Sequence, residues 1–378
     1  MMTEQTEKPS LLEILDKYDG DDDHAADSAA ALPELRAALA AGADLEEENI
    51  CEETPLIRAA LLGYNSDVIH LLVKAGAKVN VFCSMDYSPL KAVLQYAFCV
   101  PEYVEMNEVE KIVKILLDAG ADAVNKGDNE CSLSPIHKAA IACSEKVIRM
   151  LLEAGADAND TGYFGHNALH CAAGEGNTAV MPLLVERGAN LYQECEENGI
   201  DEDHGTPFFV AVQNEQLGAM RKLVELGVDI DWQDSKGRTA LACEAVKKKC
   251  TRAFTTLLKM GANTELRTRN GETPLHRAVR NNNYEAARLL LEHGAKVNAR
   301  DRKRHTPLMY AARNANLKMV NLLLDHGADP TMRDKWRRSA LQYAAERGAD
   351  SEIHRFFFNL PTTPTKKQAR FNSKKRKR

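Results

Sequence analysis

A short signature recurs nine times along the 378 residues, beginning at Thr54, Ser88, Ser134, Asn167, Thr206, Thr239, Thr273, Thr306 and Ser339. Each copy is Ser, Thr or Asn, then Pro or Ala, then an apolar residue. The steps between copies are 34, 46, 33, 39, 33, 34, 33 and 33 residues. A second marker keeps nearly the same step: Gly42, Gly76, Gly120, Gly155, Gly188, Gly227, Gly261, Gly294 and Gly327. The unit from Asn263 to Asn298 shows what one period encodes. Thr273 supplies a side-chain oxygen ahead of a helix, and Pro274 fits the first helical position because its missing N–H costs nothing there. Leu275, Ala278 and Val279 form one apolar stripe at helical spacing. Asn281, Asn282 and Asn283 make a turn, Ala286, Leu289, Leu290 and Leu291 face a second helix, and Gly294 closes it in the left-handed conformation. Helices of about ten residues are too short to stand alone. Each unit must therefore stack on a copy of itself.

The period and the Thr273-Pro-Leu-His-Arg-Ala278 run resemble the ankyrin repeat family, whose repeat is about 33 residues with a T-P-L-H-x-A signature. The resemblance covers roughly residues 25–359. It implies an all-α solenoid of helix-turn-helix units joined by β-hairpin-like finger loops, with ligands met by the fingers and inner helices. It also implies that His137, His170 and His276, which share one signature slot, link neighbouring repeats by hydrogen bonds.

On this reading residues 24–359 form the repeat domain, with about nine repeats and a partial one at the N-terminus. Ala25 to Ala41 is expected to be a degenerate first repeat, broken by Pro33. Residues 1–23 are acidic and are expected to be a disordered tail, with a docked turn at Leu11, Leu12, Ile14 and Leu15 as the alternative. Insertions fall near 97–107, where the first helix is expected to lengthen, and near 192–205, an acidic flap. Phe356, Phe357 and Phe358 are expected to close the end of the core. Nine cysteines with no C-x-x-C pair fit a reducing compartment. Met1 to Ser10 is polar, and no apolar run approaches the roughly 20 residues of a membrane span. A soluble, monomeric chain in the nucleus or cytoplasm, without membrane contact, is expected.

No catalytic constellation, phosphate loop or metal spacing emerges, so neither an enzyme nor a cofactor is expected. Charge is the informative feature. Residues 1–53 hold 16 Asp/Glu against 3 Lys/Arg, whereas residues 263–338 hold 16 Lys/Arg against 8 Asp/Glu. Much of the basic excess sits in three successive finger loops: Arg267 and Arg269; Arg300, Arg302, Lys303 and Arg304; then Arg333, Lys335, Arg337 and Arg338, with Trp336 among them. Stacked units should align these loops into a stripe. Arg304 and Arg337 occupy the finger position held by Gly237 and Gly271, where a positive φ carries a cost for other residues. Such a stripe suits one or more protein partners with an acidic segment. Plain solvated charge and a nucleic-acid or phosphorylated ligand, with Trp232 and Trp336 as stacking platforms, are the alternatives. The tail 360–378 is basic and expected to be disordered. Its Lys374, Lys375, Arg376, Lys377 and Arg378 resemble a nuclear-import signal, with Lys366 and Lys367 as a second cluster, and Thr363 precedes Pro364 as in a proline-directed phosphorylation site.

Overall fold

A computed structural model describes residues 9–18, 24–99, 105–124, 133–196, 204–247, 251–346, 348 and 351–359. Its contacts divide the chain into two units, Met1–Leu226 and Gly227–Arg378. The first unit contains α1 (Leu11–Lys17), α2 (His24–Ala40), α3 (Pro55–Leu61), α4 (Ser66–Ala75), α5 (Pro89–Cys99), α6 (Met106–Asp118), α7 (Pro135–Ala142), α8 (Glu145–Glu153), α9 (Ala168–Glu175), α10 (Met181–Glu186), α11 (Pro207–Gln213) and α12 (Leu217–Glu225). The second contains α13 (Ala240–Glu244), α14 (Arg252–Lys259), α15 (Pro274–Arg280), α16 (Tyr284–Glu292), α17 (Pro307–Arg313), α18 (Leu317–Asp325), α19 (Ala340–Ala345) and α20 (Glu352–Phe358).

Within each unit the helices alternate between two rows. In the first unit α3, α5, α7, α9 and α11 lie side by side, and α2, α4, α6, α8 and α10 form the second row. In the second unit α13, α15, α17 and α19 form one row, and α14, α16 and α18 the other. The signature explains each start. Pro55, Pro135, Pro207, Pro274 and Pro307 open their helices. The Thr239 side chain accepts the Ala242 N–H at 3.2 Å. The third signature residue is the core residue: Leu56, Leu90, Ile136, Leu169, Phe208, Leu241, Leu275 and Leu308 are all buried. The nine periodic glycines that close the second helices all have positive φ, between 80° at Gly42 and 106° at Gly76. Their step in sequence is the step of this left-handed cap.

The signature histidines tie one repeat to the next. Nε2–H donates to a main-chain carbonyl at the start of the following repeat: His137 to His166 at 2.9 Å, His170 to Gly205 at 3.0 Å, and His276 to His305 at 3.1 Å. A carbonyl only accepts, so the proton resides on Nε2 and Nδ1 is the acceptor. The other side of the ring agrees, because the Asn167 and Thr273 N–H groups reach Nδ1 of His170 and His276 at 3.1 and 3.2 Å. In the slot at Lys91 the pattern breaks. Its ammonium is buried and turns instead to its own finger, donating to the Asp86 carbonyl at 2.5 Å.

Three local expectations change. Residues 11–17 are not a disordered tail: α1 is capped by Ser10, and Leu11, Leu12 and Leu15 are buried. Glu47 accepts from the Leu12 N–H at 2.8 Å, and the Tyr64 hydroxyl donates to the Leu15 carbonyl at 2.8 Å. Pro33 does not break α2, which runs through it while burying Ala31, Leu35 and Ala38. Apolar packing on this face outweighs one missing helical hydrogen bond. Of the terminal aromatics only Phe357 is buried, and Phe358 is 72% exposed. The insertions are partly described. Helix α5 extends to Cys99, whereas Cys195–Glu196 and His204–Gly205 pair as short antiparallel strands.

Burial lowers His170 to about 3 and His276 to about 4. The unfolded chain protonates these rings below about 6.5 while the folded chain does not, so stability falls as pH drops from there toward 4. At pH 5 each ring is expected to cost about 2 kcal/mol relative to neutral pH. Urea unfolding at pH 7 and pH 5 should show this loss, and H170Q and H276Q should each flatten it. An unchanged pH slope in both variants would contradict it.

Candidate partner-binding surface

The fingers of the second unit are built on one local design. Asp234, Asp301 and Asp334 each open a turn, and Oδ1 accepts the N–H groups two and four residues on. These bonds are 2.8 and 2.7 Å to Lys236 and Arg238, 2.9 and 2.7 Å to Lys303 and His305, and 2.8 Å each to Trp336 and Arg338. A single short side-chain oxygen thereby satisfies two main-chain donors in a tight turn. Thr268 takes the equivalent place in the finger between Lys236 and Lys303.

Successive fingers are then stitched together by main-chain hydrogen bonds. The Arg269 N–H donates to Lys236 at 2.8 Å, the Arg302 N–H to Asn270 at 3.0 Å, and the Lys335 N–H to Lys303 at 3.0 Å. The tips therefore form a continuous row. At the position of closest approach, an added Cβ on Gly271 would meet the Arg302 nitrogen at 2.7 Å. Arg304 and Arg337 hold the corresponding left-handed position with φ of 62° and 64°, at a cost of about 1 kcal/mol each.

The row sorts the eleven sequence-selected residues into two sets. Arg269, Arg302, Lys303, Arg304, Lys335 and Arg337 are exposed. Among the described residues, no carboxylate pairs with any of the six. The others serve the fold. Arg267 bridges the Gly271 and Arg300 carbonyls, and Arg333 donates to the Arg337 carbonyl at 2.9 Å. Arg300 is half-buried, with its Nε shut away from any acceptor among the described residues. Arg338 pairs with Asp334 at 3.3 Å and Glu346 at 3.0 Å, and lies 4.4 Å from the Tyr343 ring centroid. Trp336 is 54% exposed but already carries Arg338 at 5.3 Å and tilts against His305 at 5.8 Å. It is a partly occupied platform. Trp232 is half-buried.

A buried polar cluster that the sequence did not announce backs the fingers. His305 lies between two aspartates, with Nδ1 3.3 Å from Asp301 and Nε2 3.6 Å from Asp334. The Tyr310 hydroxyl donates to Asp301 at 2.8 Å, and the Tyr343 hydroxyl donates to Asp334 at 2.6 Å. Burial alone would raise both carboxyls. Hydrogen bonds, from His305 and Tyr310 to Asp301 and from Tyr343 and Arg338 to Asp334, hold both below their ordinary value. The fingers thus stand on ionised, fully engaged aspartates. Lys374 to Arg378, Lys366, Lys367 and Thr363 lie outside the described residues.

A family model for ankyrin repeats, in blocks of three copies, matches residues 102–195, 208–301, 243–334 and 302–368. The chain belongs to the ankyrin repeat family. It is an all-α ankyrin-repeat protein, as its two-row helical units show. The nuclear factor NF-kappa-B p105 subunit of Gallus gallus is 28% identical over 174 residues, 45% of this chain and 17% of that protein. The B-cell lymphoma 3 protein homolog of Mus musculus is 39% identical over 168 residues, 43% of this chain and 36% of its own length. Ankyrin repeat and SOCS box protein 11 of Mus musculus is 29% identical over 114 residues, 29% of this chain and 32% of that protein. The chain thus spans about a third or less of the length of the relatives it matches.

Relief of backbone strain at the fingers is testable. R304G and R337G are each expected to raise unfolding stability by up to about 1 kcal/mol. Urea titration would measure it, and destabilisation by either change would contradict a strained left-handed arginine.

Proposed function

We propose that this chain is a non-catalytic protein-interaction module whose second unit takes an acidic segment of a protein partner along the finger row. The observation that carries this reading is the set of six exposed cations on stitched tips, with no carboxylate of the described residues paired to them. Fixed cations without counter-charges repel one another, and an anionic ligand relieves that repulsion. Family membership supports the non-catalytic role, because stacked repeats present finger loops as a binding face. Side chains, not a metal or cofactor, would supply the recognition. A nucleic acid is the less favoured occupant, since Trp336 has one neighbour stacked on it already and Trp232 has Asp229, Asp231 and Asp234 around it in sequence.

Titration with an octaglutamate peptide and with a single-stranded RNA of mixed sequence, over a salt series, tests the choice. The peptide is expected to bind with an affinity that falls as salt rises. The triple variant R269A/R302A/K335A should weaken it about tenfold and flatten the salt dependence. Failure of the peptide to bind at low salt would refute the acidic-partner reading. Tighter binding of RNA with a steep salt slope would replace it.

A further inference from the structure

Two arginines of the second unit, Arg277 and Arg300, keep a desolvated Nε, and of the two Arg277 stands on a helix of the packed row. Arg277 lies on α15 directly after the signature His276, in the slot that α13 fills with Cys243, α17 with Tyr310 and α19 with Tyr343. These four helices are the packed first row of the unit. The Arg277 side chain is half-buried, and its Nε is sealed from solvent with no acceptor among the described residues. Burial lowers its pKa, Cys243 and Glu272 oppose that, and Arg238 and Arg280 add to it.

Among the described residues, the buried carboxylates of the unit are all taken. Asp234 pairs with Arg238 at 2.6 Å, Glu244 with Lys247 at 2.6 Å and the Thr251 hydroxyl at 2.5 Å, and Glu272 with Arg280 at 2.8 Å. Asp301 holds Tyr310 and His305, and Asp334 holds Tyr343 and Arg338. Glu272 acts on Arg277 as a nearby charge while its bond goes to Arg280.

The same slot behaves differently in the first unit. Arg58 pairs with Asp16 at 2.8 Å and Glu53 at 3.4 Å, and Lys138 donates to Gln95 at 2.7 Å. A cation in this slot thus finds a partner within the fold, carboxylates for Arg58 and a neutral amide for Lys138. At Arg277 Nε itself stays out of reach, but the terminal N–H groups of this half-buried guanidinium are not sealed, and a planar carboxylate from outside would pair with them and offset the cost of the charge.

We infer that Arg277 is the anchor of the binding surface and receives an Asp or Glu carboxylate from the partner's acidic segment, while the fingers attract that segment at longer range. This deepens the acidic-partner reading and rests on it. The two contributions differ physically. Exposed finger charges are screened by salt, whereas a partly buried fork bond is screened much less. Arginine's planar fork also distinguishes this role from simple positive charge, which lysine would retain.

The test is calorimetric titration of octaglutamate into the full chain as wild type, R277M, R277K and R269A/R302A/K335A, at low and physiological salt, with a melting curve for each. R277M is expected to bind at least about thirtyfold more weakly with the salt slope preserved. It should melt at or above the wild-type temperature, because an unmatched buried charge has been removed. R277K should bind more weakly than wild type despite keeping the charge. Wild-type affinity in R277M or R277K, with binding lost in the finger triple variant, would overturn the anchor and leave the acidic-partner reading standing. R277M that melts clearly lower than wild type would make Arg277 a structural residue and also overturn the anchor. No binding to the wild type would overturn both.

Discussion

The hydrogen bond from a buried imidazole to the next repeat's main chain is the contact on which the local architecture turns. Helices of five to eight residues, such as α13 and α7, have no independent stability. They persist because the apolar face of each is covered by its neighbours, and His137, His170 and His276 set the register of that cover. Their Nε2–H groups hold the carbonyls that end the following finger, directly before the next signature. The same ring accepts from its own helix start, so one residue caps a helix and positions a loop. Burial keeps His170 and His276 neutral at physiological pH, the form with one donor and one acceptor that both bonds require. Protonation would place a second donor against a main-chain N–H.

Register at the helix ends passes to the fingers. An aspartate satisfies the inner donors of the turns at Asp234, Asp301 and Asp334, and outer N–H and C=O groups are spent on adjacent turns. With the main chain so occupied, side chains at the tips have little to bind on the protein itself. That is how Arg302, Lys303 and Lys335 come to be exposed and unmatched while Arg267 and Arg333 fold back to cap carbonyls. Proximity of like charges is imposed by the repeat and is not relieved within it. A binding surface of this kind is a by-product of stacking, with its specificity written in the few positions that stacking leaves alone.

Much of this was legible in the chain. The nine signatures and the nine glycines marked helix starts and left-handed ends, because each is a local requirement of backbone geometry. The family's histidine slot pointed to the cross-repeat bond, and Arg304 and Arg337 stood out as residues in a glycine position. Tertiary choices were harder to read. Leu11, Leu12 and Leu15 dock because Glu47, remote in sequence, caps the N-terminal end of α1. Pro33 is tolerated because α2 is held by its packed face rather than by its own hydrogen bonds. Composition could not separate Arg338, engaged by Asp334, Glu346 and Tyr343, from Arg337 beside it. Arg277 escaped notice for a related reason: helical periodicity selects its apolar neighbours Leu275 and Ala278, and whether a cation between them is matched depends on partners far along the chain. Its one sequence signal was the recurrence of Arg58 and Lys138 in the same slot.

The fingers of the second unit form a hydrogen-bonded row rather than independent loops. Amide hydrogen exchange at Arg269, Arg302 and Lys335 tests it most directly, since these three N–H groups point into the neighbouring turn. All three should exchange far more slowly than unstructured amides and at rates close to those of the helices beside them. Exchange at the rate of free peptide amides would show the fingers to be separate, and would remove the ordered cationic row on which the binding surface depends.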